Sequence, residues 1–178
     1  MFDGFEPFEH HGLVEIIAGS ANSLFERIGI KTDGGALSSP ENTRGCIAAG
    51  VRVFEVALTG GDAYSHDKRT GTRGLFEAAV SGIELITAES DRLGVSTMVI
   101  GVAAVCPHNF TELSSIVGTF CRIGVDAIRV EVRHGGQVPP SLAKQAYEVA
   151  VPAGVALFGD GMTRLSGVRL YTVVEAGA

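Results

Sequence analysis

Two short stretches bring proton-moving or nucleophilic residue types close together. His66-Asp67 sets an imidazole beside a carboxylate. A carboxylate can orient a histidine whose ordinary pKa lies near neutrality, which suits general acid–base work. The same pair, placed just before Lys68-Arg69, equally suits a polar capping cluster in a loop. Cys106 and His108 have the composition of a nucleophile and its base, with no third group in view to orient the imidazole. His10-His11 follow Glu9 and read as a solvated helix entry. Cys46, Cys106 and Cys121 are three and far apart, so no disulfide framework or short-spaced metal motif is present. They read as buried free thiols.

A second pattern recurs along the chain: glycine beside a polar residue, directly after an apolar run. It appears at Lys31-Thr32-Asp33-Gly34-Gly35, at Thr59-Gly60-Gly61-Asp62, at Arg133-His134-Gly135-Gly136 and at Gly159-Asp160-Gly161; Cys106, His108 and Asn109 follow another such run. Glycine lets backbone approach a ligand closely, and exposed N–H groups in such loops can hold carboxylate or phosphate. The competing account is that glycines make short strand-to-helix turns. Neither G-x-G-x-x-G nor G-x-x-x-x-G-K-[ST] occurs, so a nucleotide fingerprint is absent.

The elements that position these residues alternate. Leu13, Val14, Ile16, Ile17 and Leu24 suit a helix over 12–24, and 26–31 a strand. Ser39-Pro40-Glu41 is an N-cap, a proline at the first helical position and an acid in the first turn, opening a helix that stops at Gly50. A strand follows over 51–58. Phe76, Ala79, Val80, Ile83, Ile86 and Leu93 share one face of a helix over 74–93, and 95–105 reads as a strand. Asn109 with Glu112 has the spacing of a capping box. Phe110, Leu113, Ile116, Val117 and Phe120 make the inner face of the helix it opens. Strands over 127–132, 155–158 and 168–174, and a helix from Pro139-Pro140 to Gly154, complete the pattern.

Strands separated by helices imply crossover connections and a parallel sheet, covered on both faces when its strands are this apolar. Five or six such units fit an open doubly wound sheet or a partial (β/α) barrel; a full barrel typically needs about 250 residues. In either, function gathers at the carboxyl ends of the strands. The chain has 178 residues, no internal linker and a net charge of −6, and reads as a single domain over 1–178. The acidic balance argues against general nucleic-acid binding. No apolar run spans a bilayer and the acidic N-terminus is no signal peptide, so a cytoplasmic location is expected.

The order of motifs resembles the radical SAM superfamily. Thr32-Asp33-Gly34, Ser39-Pro40-Glu41-Asn42, Glu55 to Asp62, His66-Asp67 with Gly71, Asn109 with Leu113, and Gly124 to Val130 follow that family's third to sixth units in sequence. Asp3-Gly4-Phe5-Glu6-Pro7 resembles a diverged G-G-E-P. The resemblance implies a partial (β/α) barrel with parallel strands whose first βα unit is missing, and 162–178 as an extension or last strand. It implies S-adenosylmethionine and a [4Fe–4S] cluster as cofactors, with reductive cleavage of the sulfonium starting radical chemistry on a small-molecule substrate. Gly4, Glu6, Pro7, Thr59, Val99 and Ile128 would contact the cofactor, and Thr32, Asp33 and Gly34 the substrate cavity.

The family's C-x-x-x-C-x-x-C cluster ligands are absent from this chain, and the three cysteines cannot replace them by spacing. The expectation is therefore an N-terminally incomplete core not competent for turnover alone. A partner subunit or a preceding segment would cover its open sheet edge. The alternative is a cluster-less module that binds S-adenosylmethionine or a protein partner. A glycerophosphodiesterase-like hydrolase is a third reading, from Pro40-Glu41-Asn42-Thr43, Glu55 and His66-Asp67. It lacks that family's first histidine, where Thr32-Asp33-Gly34 stands.

Overall fold

The computed structural model describes residues 1, 6–21, 27–132 and 138–159. Five strands form one sheet: β1 (Ile28–Thr32), β2 (Val51–Leu58), β3 (Met98–Val105), β4 (Ala127–Val132) and β5 (Ala156–Gly159). Every neighbouring pair is parallel, and the order across the sheet is the order along the chain. Among the described residues the α-helices are α1 (Leu13–Ala21), α2 (Pro40–Ala49), α3 (Ala63–Thr70), α4 (Leu75–Leu93), α5 (Leu113–Ile123) and α6 (Pro140–Ala150). A doubly wound sheet reverses its strand order at a switch point; this sheet has none. The protein is an α/β fold with a five-stranded parallel sheet, compatible with a partial (β/α) barrel.

Strand side chains alternate between two faces, and the two faces are chemically different. Ile30, Phe54 and Val99 are in register on one face, followed by Val56 with Ile128 and by Leu58, Ala103 and Val130. These residues join Ile17, Leu37, Ile47, Ala79, Ile83, Ile86, Ile116 and Phe120 in one buried cluster, so the helices are held to this face. The expectation that both faces carry helices does not hold for the described residues. The other face carries Lys31, Glu55, Ile100 and Ala127 in one layer, then Ala57, Val102 and Arg129, then Ala104 and Glu131. We call it the open face.

The open face is strongly curved. Lys31 Nζ lies 2.8 Å from Glu131 Oε2. Their strands, β1 and β4, are three intervals apart, which is about 14 Å along a flat sheet at ~4.8 Å per interval. Side chains standing upright on a flat sheet would not meet over that span. The sheet must curl for the pair to close.

The helix termini follow their signals in most places. Pro40 opens α2, and Gly50 ends it at φ 116 with its N–H on Cys46 and Ile47 carbonyls, a left-handed cap that glycine adopts without steric cost. α4 begins after Gly74 and ends before Gly94, as its apolar period predicts, although Leu93 itself is 37% exposed and leaves the buried face. Segment 168–174 lies outside the described residues, as do Gly4, Arg133 to Gly136, Asp160 and Gly161.

Candidate functional site

The carboxyl end of β1 is tied to the N-terminal segment by Glu6. Its carboxylate accepts from Thr32 Oγ1 at 2.7 Å and from the Asp33 N–H at 2.8 Å. Burial pushes the Glu6 carboxyl above its ordinary value, against the lowering effect of these donors. Pro7 begins the short 3-10 turn Pro7–Glu9, which Glu6 also caps through the Phe8 N–H. Asp33 accepts from the Gly35 N–H at 2.8 Å, and Thr32 Oγ1 accepts from the Gly34 N–H. Glu6, Pro7, Thr32, Asp33 and Gly34 are thus one cluster, as their selection as site residues requires. Its hydrogen bonds are internal.

The loop after β2 is locked from every side. Thr59 donates its backbone N–H to His66 Nδ1 at 3.1 Å, and its carbonyl accepts from Asn109 Nδ2 at 2.8 Å and from Arg69 Nη1 at 3.0 Å. Gly60 and Gly61 have no room for a Cβ. At Gly60 it would lie 2.5 Å from the His66 nitrogen, and at Gly61 2.7 Å from Ser115 Cβ. These glycines let α3 and α5 pack against the loop; they do not form a cradle for a ligand. The same holds at Gly34, where a Cβ would lie 2.7 Å from Val56.

His66 and Asp67 sit in α3, a helix the sequence reading treated as loop. Asp62 caps α3 through the Ser65 N–H at 2.8 Å. Asp67 does not touch the imidazole as an orienting group; it accepts from the Gly74 and Phe76 N–H groups and so caps α4. Those bonds hold its carboxyl below the ordinary range. Of the two roles weighed for this pair, capping is the one Asp67 performs. His66 is 1% exposed, and burial pushes its pKa below the usual value. Since Nδ1 accepts from Thr59, the neutral ring carries its proton on Nε2, which has no hydrogen-bond partner.

Asn109 and Glu112 do not form a capping box. Asn109 is 1% exposed and its amide is fully used: Oδ1 accepts from the Cys106 N–H at 2.6 Å, and Nδ2 donates to the Thr59 and Ala104 carbonyls. Glu112 pairs instead with the Arg69 guanidinium through both carboxylate oxygens. Cys106 and His108 share no hydrogen bond, and His108 is exposed. Cys46 is buried, with its thiol pushed up to about 11 by desolvation. Val99 and Ile128 are 4% and 0% exposed on the helix-packed face, away from the open face.

The P-E-N-T stretch is a helix entrance. Thr43 Oγ1 donates to the Leu37 carbonyl and Asn42 to that of Ala36, holding the turn Gly35–Ser38 against α2. Glu55 stands on the open face, whereas His66 lies in α3 with its Nδ1 on Thr59; the two do not meet in a hydrogen bond.

The grouping that sequence reading missed is on the open face. Lys31 from β1, Glu55 from β2 and Arg129 and Glu131 from β4 form one network. Glu131 Oε2 meets Lys31 at 2.8 Å and Arg129 Nη2 at 3.3 Å, and the same nitrogen donates to Glu55 Oε2. The four side chains are 11–21% exposed. Their formal charges sum to zero. Desolvating charges is costly unless they are paired, and here each has a partner of opposite sign. A signal was present: each lies inside an otherwise apolar strand, on the same alternate face.

No protein-family model matches the chain, and no curated protein matches it. Among solved structures, the chain is similar to a putative phosphonomutase from Burkholderia cenocepacia J2315. That similarity has a TM-score of 0.57 at 12% identity, over 83% of this chain and 58% of that one. The chain therefore spans less than two thirds of that protein's length. At this identity the likeness shows the fold. It corrects the radical SAM resemblance: the matching structure is a putative phosphonomutase. The radical chemistry, S-adenosylmethionine and the [4Fe–4S] cluster fall with the resemblance. Among the described residues no group of His, Cys, Asp and Glu is placed to hold a metal ion. The motifs that suggested the family have local explanations, as packing glycines, helix entrances and the Asn109 staple. No helix among the described residues is long and apolar enough to cross a membrane.

Proposed function

We propose that the chain forms five consecutive units of a partial (β/α) barrel, and that this barrel is an enzyme holding a small polar molecule on its open face. The observation that carries this reading is the charge network of Lys31, Glu55, Arg129 and Glu131, closed across the curved sheet. A structural interior would be filled with apolar side chains at lower cost. Here β3 supplies only Ile100, Val102 and Ala104 to the same face, and β2 adds Ala57, so small walls surround the charges. Glu55 and Glu131 supply proton acceptors, and Lys31 and Arg129 supply charged donors that could stabilise developing negative charge. The likeness in fold to a putative phosphonomutase supports an enzyme reading for this architecture.

The test is a titration of the 15N-labelled full chain with a panel of small polar molecules, followed by amide shifts. The reading expects shifts at residues 31, 55–59, 102–106 and 129–132. Shifts confined to the outer face of α3, or to the opposite ends of the strands, would overturn it.

A further inference from the structure

We infer that the open face takes a small organic oxyanion, a carboxylate or phosphonate, with Arg129 as its receptor; this rests on the open face being the ligand site. Arg129 stands in register with Val102 on β3 and, one strand further, with Ala57 on β2. Both of its ion pairs leave from a single nitrogen. Nη2 donates to Glu55 Oε2 and to Glu131 Oε2. Nε is buried without a hydrogen-bond partner, and among the described residues Nη1 makes no hydrogen bond.

A guanidinium offers five N–H groups in a planar fork. Two carboxylates therefore fix its orientation here and leave most of its donors unused. Buried donors without partners are rare in folded proteins, and a ligand, ion or water is the common explanation. A two-oxygen anion matches the fork in geometry and charge, and such bonds are among the strongest polar contacts. The surrounding charges permit it, because the four network groups sum to zero and present no net repulsion. The walls permit it too: Ala57 and Ala104 stand where larger side chains would cover the guanidinium. Lys31, held on Glu131, adds a second cation on the same face.

The experiment follows the Arg129 Nε–H resonance and the backbone amides of the full 15N-labelled chain. The probes are acetate and phosphonoacetate, with 1,2-propanediol and methylammonium as neutral and cationic counterparts at matched ionic strength. Both oxyanions are expected to shift Arg129 Nε–H and the amides of β2 to β4. Arg129→Met is expected to weaken that response at least tenfold, and Arg129→Lys, which keeps the charge without the fork, several-fold. If Arg129→Met does not fold, the Nε–H response of the unaltered chain decides. Open-face shifts with propanediol or methylammonium and none with the oxyanions would overturn the oxyanion assignment and leave the proposed site standing. Open-face shifts with oxyanions that persist in Arg129→Met would overturn Arg129 as receptor. No open-face shift with any probe would overturn the site itself.

Discussion

Replacing Asn109 by alanine should cost far more than its position in a connecting loop suggests. The side chain is 1% exposed and makes three bonds, to the Cys106 N–H at 2.6 Å, the Thr59 carbonyl at 2.8 Å and the Ala104 carbonyl at 3.1 Å. Together they staple the loop after β2 to the end of β3. Neutral hydrogen bonds contribute about 0.5–1.5 kcal/mol each, and a buried group left without a partner costs about 1–3 kcal/mol. The expected loss is about 2–4 kcal/mol. For a two-state domain of this size, that corresponds to a fall in Tm of about 4–16 °C. Urea melts of the full chain and of Asn109→Ala, compared at equal m-value, measure it. Asn109→Asp should be no better, because it keeps the acceptor for Cys106 but sets a carboxylate against two carbonyls. A loss of about 1 kcal/mol or less is what an ordinary helix cap is worth. That result would refute the staple.

Gly61→Ala should destabilise by about 2 kcal/mol or more, since its Cβ collides with Ser115. Gly71→Ala should cost only about 1 kcal/mol, because its φ of 74 is strained for alanine but nothing lies within 4 Å of the new Cβ. Equal costs in denaturant melts would remove the packing account of the glycine loops. His66 gives a pH signature. Its native pKa lies below the ordinary 6.5 because the ring is buried, so the unfolded chain binds a proton first as the pH falls. Its contribution is complete above pH 6.5 and declines as the pH falls through 6.5 towards the lower native value. The stability difference between the unaltered chain and His66→Asn should therefore shrink between pH 8 and pH 5.5, and a pH-independent difference would count against a buried neutral imidazole.

Much of the fold was legible because its elements carry local signals. The bounds of β2 and β4 follow from apolar runs ended by polar turns, and α4 from its period between Gly74 and Gly94. α3 was missed because its sequence, AYSHDKRT, has almost no apolar face; His66 is its single buried residue. The usable signal was its brackets, Asp62 as N-cap and Gly71 as left-handed C-cap. Asn109 misled because capping-box spacing is local, whereas its partners Thr59 and Ala104 are brought together only by the sheet. The charge network was hidden for the same reason. Lys31, Glu55, Arg129 and Glu131 are spread over a hundred residues, and only strand order and curvature make them neighbours. The family resemblance failed because weak motifs in sequence order are also what consecutive βα units of many kinds produce.

The central claim is that β1 and β4 face each other across a curved sheet, closing the open face into a site. A double-mutant cycle on Lys31→Met and Glu131→Gln tests it most directly, using the stability of the full chain. Each side chain is 17% exposed, between the surface pairs worth little and the buried pairs costly to break. The account predicts a favourable coupling of at least about 1 kcal/mol. A coupling within about 0.3 kcal/mol of zero, as for distant independent sites, would mean that the strands do not meet and that the open face is not a site.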